Sequence, residues 1–335
     1  GHAVVLRKLR QLQDLGCKVI FLVGDFTAMI GDPTGKSKVR PELDQKTIAQ
    51  NVGTYITQIP KILKIEPISD KEKTDKIVRD QNGFIVDSPW FGWMRNAEWF
   101  TGVTDISTEG ASTDALTVRF GDSAPVQIPA GSFAGKAVVY ENTRMQKTFL
   151  GRNEIKGVSL VNLLSILRSI SHAQLIERDM FQNRINEGEP LFMHEMLYPV
   201  IQGVDSDVLA GIYGGCDLEV GGTDQTFNML MGRKVMEMTK KSPQAVLAFE
   251  LLVGLDGKEK MSKSLDNYVA ITDEPADMFG KLMSIPDSAL ASYFELCTYM
   301  PITDVRALET KLKDGNAHPK EVKMDLAEQV VVIYH

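Results

Sequence analysis

Residues 260–264 read Lys260-Met261-Ser262-Lys263-Ser264, on a segment that also contains Gly254 and Gly257. Each lysine carries a point charge on a flexible stem, with small hydroxyl groups beside it. Such a segment can follow a polyphosphate leaving group as negative charge builds in a transition state. The alternative is a solvated surface loop, which most Lys-Ser clusters form. The stretch predicts a nucleotide-binding domain if other nucleotide-binding features accompany it.

The elements before this stretch alternate between amphipathic helices and short apolar strands, a pattern typical of α/β nucleotide-binding domains. The first helix is expected to stop at Gly16, and a later one to break near Pro199. Helices are predicted over 3–15, 44–63, 159–187, 193–213 and 224–240, and strands over 18–24, 83–87 and 218–220.

Two regions depart from this alternation. Residues 104–150 are rich in Ser, Thr, Gly and Ala, with strand-like stretches at 115–120 and 137–140, and predict a small β-rich insertion. Beyond residue 270 the strand signal fades. The predicted domains are therefore 1–270, of α/β type, and 271–335, of all-α type with helices over 275–284, 287–299, 303–314 and 319–334.

Composition limits the classes of protein to consider. The chain has 335 residues, 43% hydrophobic and 24% charged, an ordinary globular balance. No apolar run approaches a membrane span, so no membrane partner is expected. Three widely spaced cysteines favour a reducing compartment, hence a cytoplasmic or organellar location. The net charge of −7 means that a nucleic acid would need a local basic patch.

A glycine-rich segment follows the strand predicted over 18–24. Its end, 31–37, resembles a phosphate-binding P-loop but has three residues between the glycines where that motif needs four. Asp32 precedes a proline, where aspartate commonly forms turns. A P-loop and a plain turn both remain open from these residues alone.

Tyr198, Gln202 and Asp205 are spaced i, i+4 and i+7, so they project from one face of the helix predicted there. A polar row beside apolar residues suits a pocket for a hydroxylated, zwitterionic ligand. The alternative is an amphipathic helix with its polar face in water.

The segment from Val220 to Asn228 takes a strand into two glycines and then a helix. Gly221 and Gly222 let the backbone approach a ligand beyond the carboxyl end of a strand. Asp224, or the threonine before it, would equally serve as a helix N-cap.

Taken together, these motifs resemble class I aminoacyl-tRNA synthetases, and among them closely the tyrosyl-tRNA synthetases. The resemblance rests on KMSKS at 260–264, on Ile-Gly-Asp-Pro-Thr-Gly at 30–35, on the Tyr198 helix and on Gly-Gly-Thr-Asp-Gln at 221–225. Residues 96–99 also match. Gly1-His2 fits the second half of the family's H-I-G-H signature; a tag remnant is the alternative.

The resemblance implies a fold, a reaction and roles for named residues. The fold is a Rossmann-like parallel sheet, and the reaction joins L-tyrosine to tRNA(Tyr) through ATP. The implied catalytic residues are Lys260, Lys263 and His2. ATP would contact Gly1, His2, Gly222, Asp224, Met261, Ser262 and Lys263. Tyrosine would contact Thr27, Asp32, Tyr198, Gln202, Asp205 and Gln225, with Asp32, Tyr198 and Gln202 at the ammonium, Asp205 at the phenolic hydroxyl and Gln225 at the carboxylate.

The resemblance also implies partners and limits. Mg²⁺ would be carried by ATP phosphates, without a protein metal site. A homodimer is implied, with its interface at 172–196 inside a connective segment at 157–200. The resemblance also implies that residues 254–268, called the phosphate loop below, bind the ATP phosphates. The likeness was expected over 1–103 and 157–335. Family members continue before Gly1, with the first half of the H-I-G-H signature, and after His335, with an RNA-binding domain. The resemblance therefore does not decide whether this chain is active by itself.

Three rival functions remain. A tryptophanyl-tRNA synthetase shares the fold and KMSKS, but Gln202 and the 30–35 loop match the tyrosyl pattern. A non-catalytic RNA-binding protein could use the same fold. A P-loop NTPase would place phosphates at Lys36 instead of Lys260.

Overall fold

The computed structural model describes residues 1–31, 45–74, 76–79, 83–100, 105–107, 116–118, 126–128, 139–141, 158, 160–262 and 265–335. Asp32, Lys36 and Lys263 lie outside these ranges, as do all residues from 32 to 44. The elements of the first hundred residues are α1 (His2–Asp14), β1 (Val19–Val23), α2 (Asp25–Ile30), α3 (Gln45–Gln58), β2 (Val78–Arg79), β3 (Ile85–Asp87), β4 (Phe91–Arg95) and α4 (Ala97–Phe100).

The first sheet is built around a parallel pair. Strand β1 pairs with β4 in register from Val19 opposite Phe91 to Val23 opposite Arg95. Strands β3 and β2 extend it in antiparallel fashion, giving the order β1-β4-β3-β2. Helix α1 ends as predicted, because Gly16 adopts a φ of +92° that favours glycine. Helix α3 packs Ile48 and Val52 into the core beside β1.

Strand β4 and the short helices α2 and α4 were not predicted. The sequence of β4, Phe-Gly-Trp-Met-Arg, does not alternate because four of its five residues are buried. The aromatic residues Phe91, Trp99 and Phe100, in β4 and just after it, are buried. Trp99 also has a polar role, described below.

The middle of the chain carries four short strands and then three helices. Strands β5 (Asp105–Ser107) and β8 (Val139–Glu141) pair antiparallel, as do β6 (Leu116–Val118) and β7 (Val126–Ile128). These strands agree with the predicted β-rich character of 104–150. The helix predicted over 159–187 is three helices, α5 (Leu160–Leu167), α6 (His172–Ile176) and α7 (Asp179–Asn186).

Helix α8 (Met193–Tyr213) runs unbroken through Pro199, so the predicted break is wrong. Proline removes one backbone donor, but both neighbouring turns remain helical. After strand β9 (Leu218–Gly222), helix α9 (Thr226–Met238) packs closely along α8. A Cβ at Gly203 would lie 3.0 Å from the carbonyl oxygen of Met231, so glycine permits this approach. Strand β10 (Ala245–Phe249), which was not predicted, pairs parallel with β9.

The last part of the chain is helical, as predicted. It comprises α10 (Pro275–Met283), α11 (Leu290–Cys297), α12 (Ile302–Lys313) and α13 (Pro319–Tyr334). Their apolar faces share a core that includes Met278, Phe294 and Leu326. Val4 of α1 and Leu252, which follows β10, join the same core. The helical part is therefore packed against the α/β part. None of the helices in the described ranges is long and apolar enough to span a membrane.

A buried ion pair ties α7 to the start of α8. Arg184 donates from Nη1 to Oε1 of Glu195 at 2.7 Å, and both side chains are nearly inaccessible to solvent. Arg184 also donates to the carbonyl oxygen of Pro190. The other carboxylate oxygen of Glu195 accepts from the backbone nitrogen of Phe192 at 3.0 Å and caps α8. The pair thus fixes where α8 begins.

Replacing Glu195 by alanine is expected to lower the free energy of unfolding by about 3–5 kcal/mol, because a buried guanidinium loses its counter-ion. Urea unfolding of the variant and the parent protein measures this. Glu309→Ala, which breaks an exposed pair with Lys313 on α12, is the control and should change stability little. Equal effects of the two substitutions would contradict the structural role given to the buried pair.

Candidate active site

The predicted site residues follow the carboxyl ends of parallel strands. Thr27 comes just after β1, and Asn96 just after its parallel neighbour β4. Asp224 and Gln225 come just after β9, and the 254–268 loop follows β10. Strands β1 and β4 lie in one sheet and β9 and β10 in another. Since the carboxyl ends of paired parallel strands lie at the same edge of their sheet, each pair gathers residues from distant parts of the sequence. Helix α8 lies beside them.

Asp205 of α8 is buried against the residues that follow β1 and β4. Asn96 donates from Nδ2 to Oδ2 of Asp205 at 3.1 Å, and Trp99 donates from Nε1 to Oδ1 at 2.8 Å. Asn96 also donates to Oγ1 of Thr27 at 3.2 Å and accepts from the backbone nitrogen of Phe26 at 2.9 Å. The predicted residues Thr27 and Asp205 are thereby brought together through Asn96.

The row of polar residues on α8 was alternatively interpreted as a face exposed to water. This alternative is wrong for Tyr198 and Asp205, which are 9% and 5% exposed. Both oxygens of Asp205 already have a donor. Asn96 and Trp99 were noted in the sequence only as part of a resemblance, and their role as donors to Asp205 was missed.

Two hydrogen bonds do not compensate for the burial of Asp205. Burial raises the pKa of this carboxyl to about 8; the bonds from Asn96 and Trp99 oppose the rise, and the charge of Glu219 adds to it. Each carboxylate oxygen keeps a second lone pair. A third donor would therefore stabilise the ionised form. The site suits a ligand that presents a neutral hydroxyl.

Asp205→Asn is expected to change how stability depends on pH. In the parent the folded carboxyl stays protonated up to about pH 8, whereas the unfolded one ionises near pH 4. The folded state therefore binds the extra proton, and stability falls as pH rises between these values, by at most about 1.4 kcal/mol per pH unit. Urea unfolding from pH 5 to 9 should show that the free energy of unfolding of the variant rises relative to that of the parent up to pH 8. Parallel profiles would contradict the raised pKa.

Gln202 and Gln225, both predicted site residues, meet at Asn228. Nδ2 of Asn228 donates to Oε1 of Gln202 at 3.0 Å and to Oε1 of Gln225 at 2.9 Å. On its other side Gln202 donates from Nε2 to Oε1 of Glu219 at 3.3 Å. Sequence reasoning missed Asn228 and Glu219, because neither belongs to the spacing that singled out α8.

Asp224 does not cap a helix; its carboxylate pairs with Lys260 of the phosphate loop. Nζ of Lys260 lies 2.9 Å from Oδ2 of Asp224, and both side chains are half-buried. Gly222 packs closely, since a Cβ there would lie 2.7 Å from Oδ1 of Asp224 and 2.8 Å from Cδ2 of Leu251, and a larger residue would displace these side chains. The predicted residues Gly222, Asp224 and Lys260 are therefore neighbours.

The loop that carries Lys260 is held by one buried asparagine. Asn267 donates from Nδ2 to Oδ2 of Asp256 at 2.7 Å and accepts from the backbone nitrogen of Ser262 at 2.8 Å. A Cβ at Gly254 would lie 2.2 Å from that Nδ2, so glycine is needed for the side chain to fit. Backbone bonds from Met261 to Leu252 and from Gly254 to Glu259 complete the turn. Lys260 thus projects from an ordered base.

His2 opens α1 and faces the same pair. Desolvation by the surrounding protein lowers its pKa, as do the charges of the amino terminus and Lys260, while Asp224 opposes the shift. The ring stays partly open to solvent and packs edge-on against Tyr55, with centroids 6.3 Å apart. The amino group of Gly1 lies 3.2 Å from Sδ of Met261. His2, Asp224 and Lys260 therefore form one cluster of ionisable groups.

The described site comprises a buried polar set around Asp205 and a charged set around Lys260. Gln225, which reaches Gln202 of α8 through Asn228, is adjacent to Asp224, which pairs with Lys260. No three His, Cys, Asp or Glu side chains come together as a metal site within the described ranges. The predictions for Asp32 and Lys263 concern residues outside those ranges.

The family model described as "tRNA synthetases class I (W and Y)" matches residues 1–117 and 132–335. The chain belongs to this family. The class I tRNA synthetases of this type act with tryptophan or tyrosine, as the description says. The match takes in most of residues 104–150, so the family resemblance is wider than the motifs alone indicated.

Relatives of this class I synthetase include tyrosine–tRNA ligases. That of Mannheimia succiniciproducens is 34% identical and that of Nitratidesulfovibrio vulgaris 38% identical, each over 335 residues. The alignments cover 100% of this chain but 64% and 63% of the two relatives. The chain thus spans a little less than two thirds of their length.

The fold is similar to that of the tyrosyl-tRNA synthetase of Archaeoglobus fulgidus, solved with L-tyrosine. The TM-score is 0.57 at 16% identity, and the match covers 100% of this chain and 83% of that one. At this identity the likeness concerns the fold. It confirms the predicted class, a Rossmann-like α/β domain with parallel strands followed by helices.

Proposed function

We propose that the chain activates L-tyrosine with ATP and transfers the tyrosyl group to tRNA(Tyr). The observation that carries the proposal is the buried carboxyl of Asp205, which Asn96 and Trp99 orient and which a third donor would stabilise in its ionised form. A phenolic hydroxyl supplies that donor, whereas phenylalanine supplies none. The tyrosine–tRNA ligases among the relatives support the same choice.

Activation is an in-line displacement at phosphorus. A carboxylate oxygen of tyrosine attacks the α-phosphorus of ATP, the bond to the β-phosphate oxygen breaks, and pyrophosphate leaves with the bonding electrons. The protein needs no nucleophile for this step; it must align the reactants and neutralise the developing charge. Lys260, Lys263 and His2 are the groups proposed to face the leaving phosphates. Mg²⁺ is proposed to arrive with ATP, bound by its phosphates.

Transfer follows at the carbonyl carbon of the adenylate. A terminal ribose hydroxyl of tRNA attacks this carbon, the bond to the phosphate oxygen breaks, AMP leaves, and the hydroxyl proton is released. Tyrosine would be held for both steps by Asp32, Tyr198 and Gln202 at its ammonium and by Gln225 at its carboxylate. Asp224 is proposed to bind the ATP ribose.

Lys260 and Asp224 form an ion pair with each other. A ribose hydroxyl that takes Asp224 as its acceptor would free the Lys260 ammonium for the phosphates. The ion pair is half-exposed, so its loss costs little. ATP binding would therefore release the charge that the reaction uses.

Amino-acid-dependent exchange of pyrophosphate into ATP tests the proposal. With the purified chain we expect exchange with tyrosine and none above background with tryptophan or phenylalanine. Exchange with tryptophan alone would indicate the tryptophanyl alternative. RNA binding without exchange by any amino acid would indicate a non-catalytic protein of the same fold.

A homodimer is also proposed, with exposed apolar side chains of α5, α7 and the start of α8 at its interface. The exposed apolar side chains there are Leu160, Val161, Leu164, Ile185, Phe192 and Met193. The last three fall within the predicted interface at 172–196. A cytoplasmic location stays a prediction of the sequence.

Met193→Glu should convert this dimer to a monomer, because it places a charge in an apolar interface. Sedimentation equilibrium measures the mass. Val332→Glu, on α13, changes an equally exposed apolar residue outside the proposed interface and should leave the dimer intact. A parent protein that sediments as a monomer at micromolar concentration would contradict the proposed assembly.

A further inference from the structure

Glu219 of β9 lies at the centre of a polar network that adjoins the proposed tyrosine site. Its Oε1 accepts from Gln202, and its Oε2 accepts from Oγ of Ser206 at 3.2 Å and from Nε2 of Gln244. Burial raises the pKa of Glu219, and these three hydrogen bonds oppose the rise. The donors therefore favour the charged form that can accept from all of them.

The network determines which way the amide of Gln202 points. Oε1 of Glu219 accepts from Nε2 of Gln202, so the nitrogen of this amide faces Glu219 and its oxygen faces away. On that far side the oxygen accepts from Nδ2 of Asn228 at 3.0 Å. The chemistry of the partners thus settles an orientation that the shape of an amide alone leaves ambiguous.

Asn228 also orients the amide of Gln225. Asn228 is fully buried and its nitrogen has two hydrogens, one for the oxygen of Gln202 and one for the oxygen of Gln225. With its oxygen turned to Asn228, Gln225 directs its amide nitrogen the other way. Gln202 meanwhile retains a second lone pair on its oxygen.

Asn228 thus orients both amides. Gln202 turns its oxygen, the acceptor that an ammonium needs, toward Asn228, and Gln225 turns its nitrogen, the donor that a carboxylate needs, away from Asn228. Reversing either amide would present the wrong group to a zwitterion. An amide that must be oriented on each binding event loses affinity through the cost of ordering it.

We propose that Glu219 and Asn228 are positioning residues that fix Gln202 and Gln225 in the polarity required by the amino and carboxyl groups of the amino acid. This inference rests on the proposed function, because that function assigns the two glutamines to those groups. Glu219 and Asn228 themselves act through the glutamines. Ser206 and Gln244 hold Glu219 in turn.

The first test compares three ligands that differ in one group each: tyrosine, tyrosinol without the carboxylate, and 3-(4-hydroxyphenyl)propionate without the ammonium. Glu219→Leu should weaken tyrosine and tyrosinol by about tenfold, the value of one hydrogen bond to a charged group. The propionate should bind within about twofold of the parent. Glu219→Gln, which can still present an oxygen to Gln202, should restore most of the loss.

Asn228→Asp is the second variant, since aspartate has nearly the shape of asparagine but cannot donate to either glutamine when ionised. It should weaken the binding of tyrosine more than that of tyrosinol or the propionate, because the orientations of both glutamine amides are lost together. Equal weakening of all three ligands by Glu219→Leu and by Asn228→Asp would mean general damage to the pocket and would overturn the inference.

A measurement without ligand separates this inference from the proposed function. In NMR spectra the side-chain amide protons of Gln202, assigned through Gln202→Leu, should be shifted and slow to exchange in the parent. Glu219→Leu should abolish both properties. If the parent binds no tyrosine but these properties hold, the function fails and the orienting network stands. If tyrosine binds but the amide is unaffected by Glu219→Leu, the network fails and the function stands.

Discussion

Lys260→Ala is expected to lower the rate of adenylate formation by about 10²–10³-fold, while the affinity for ATP changes by less than about tenfold. The ammonium of Lys260 lies at the edge of the sheet where the phosphates are proposed to bind, and in the free protein it is held by Asp224. Because charge on the leaving pyrophosphate grows during the reaction, an ammonium beside it stabilises the transition state more than bound ATP.

Rapid-quench measurement of tyrosyl-adenylate in a single turnover, at several ATP concentrations, separates the rate from the affinity. Lys258→Ala is the matched control, since Lys258 is an exposed lysine on the same loop. It should leave both quantities nearly unchanged. A loss that appears only in ATP affinity would mean that Lys260 serves binding and not the chemical step.

Asp205→Asn is expected to reduce the efficiency of tyrosine activation by about 2–5 kcal/mol, roughly 30-fold to several-thousand-fold. The carboxylate has donors on both oxygens, so it is fixed in place to receive a third. An amide at this position has one acceptor oxygen, and Asn96 and Trp99 compete for it. The variant should therefore also lose most of its preference for tyrosine over phenylalanine.

Pyrophosphate exchange with each amino acid measures both effects. Asp207→Asn tests the same substitution on the same helix, at a carboxylate that pairs with Lys241, and should leave the preference intact. If Asp205→Asn retained the full preference for tyrosine, the phenolic hydroxyl would have to be recognised elsewhere.

The helices were the most predictable part of the fold, because their apolar residues recur at helical spacing. Strand β4 escaped prediction because it is buried on both faces and so lacks alternation. Pro199 led to the opposite error: a proline predicts a break in the helix, but the packing of α8 against α9 keeps the helix continuous. Local propensity is a weak prior wherever tertiary contacts are this close.

For the site, the sequence indicated which residues follow the strand ends but not which of them meet. Trp99 and Asp205 are separated by 106 positions, and Lys260 and Asp224 by 36. Trp99 was noted in the sequence only within the match of residues 96–99, since a buried aromatic residue usually serves packing. Its indole nitrogen required a partner once buried, and that requirement was the signal that could have pointed to Asp205.

A crystal structure of the chain with a non-hydrolysable analogue of tyrosyl-adenylate would locate each group of the ligand. We expect the phenolic oxygen within about 2.5–3.0 Å of the Asp205 carboxylate, the amino group at the oxygen of Gln202, and the ribose at Asp224. We also expect that Lys260 has left Asp224 and turned toward the position of the departed phosphates. A phenol placed away from Asp205, or an adenosine bound at 31–37 instead of beside Asp224, would contradict the proposed function.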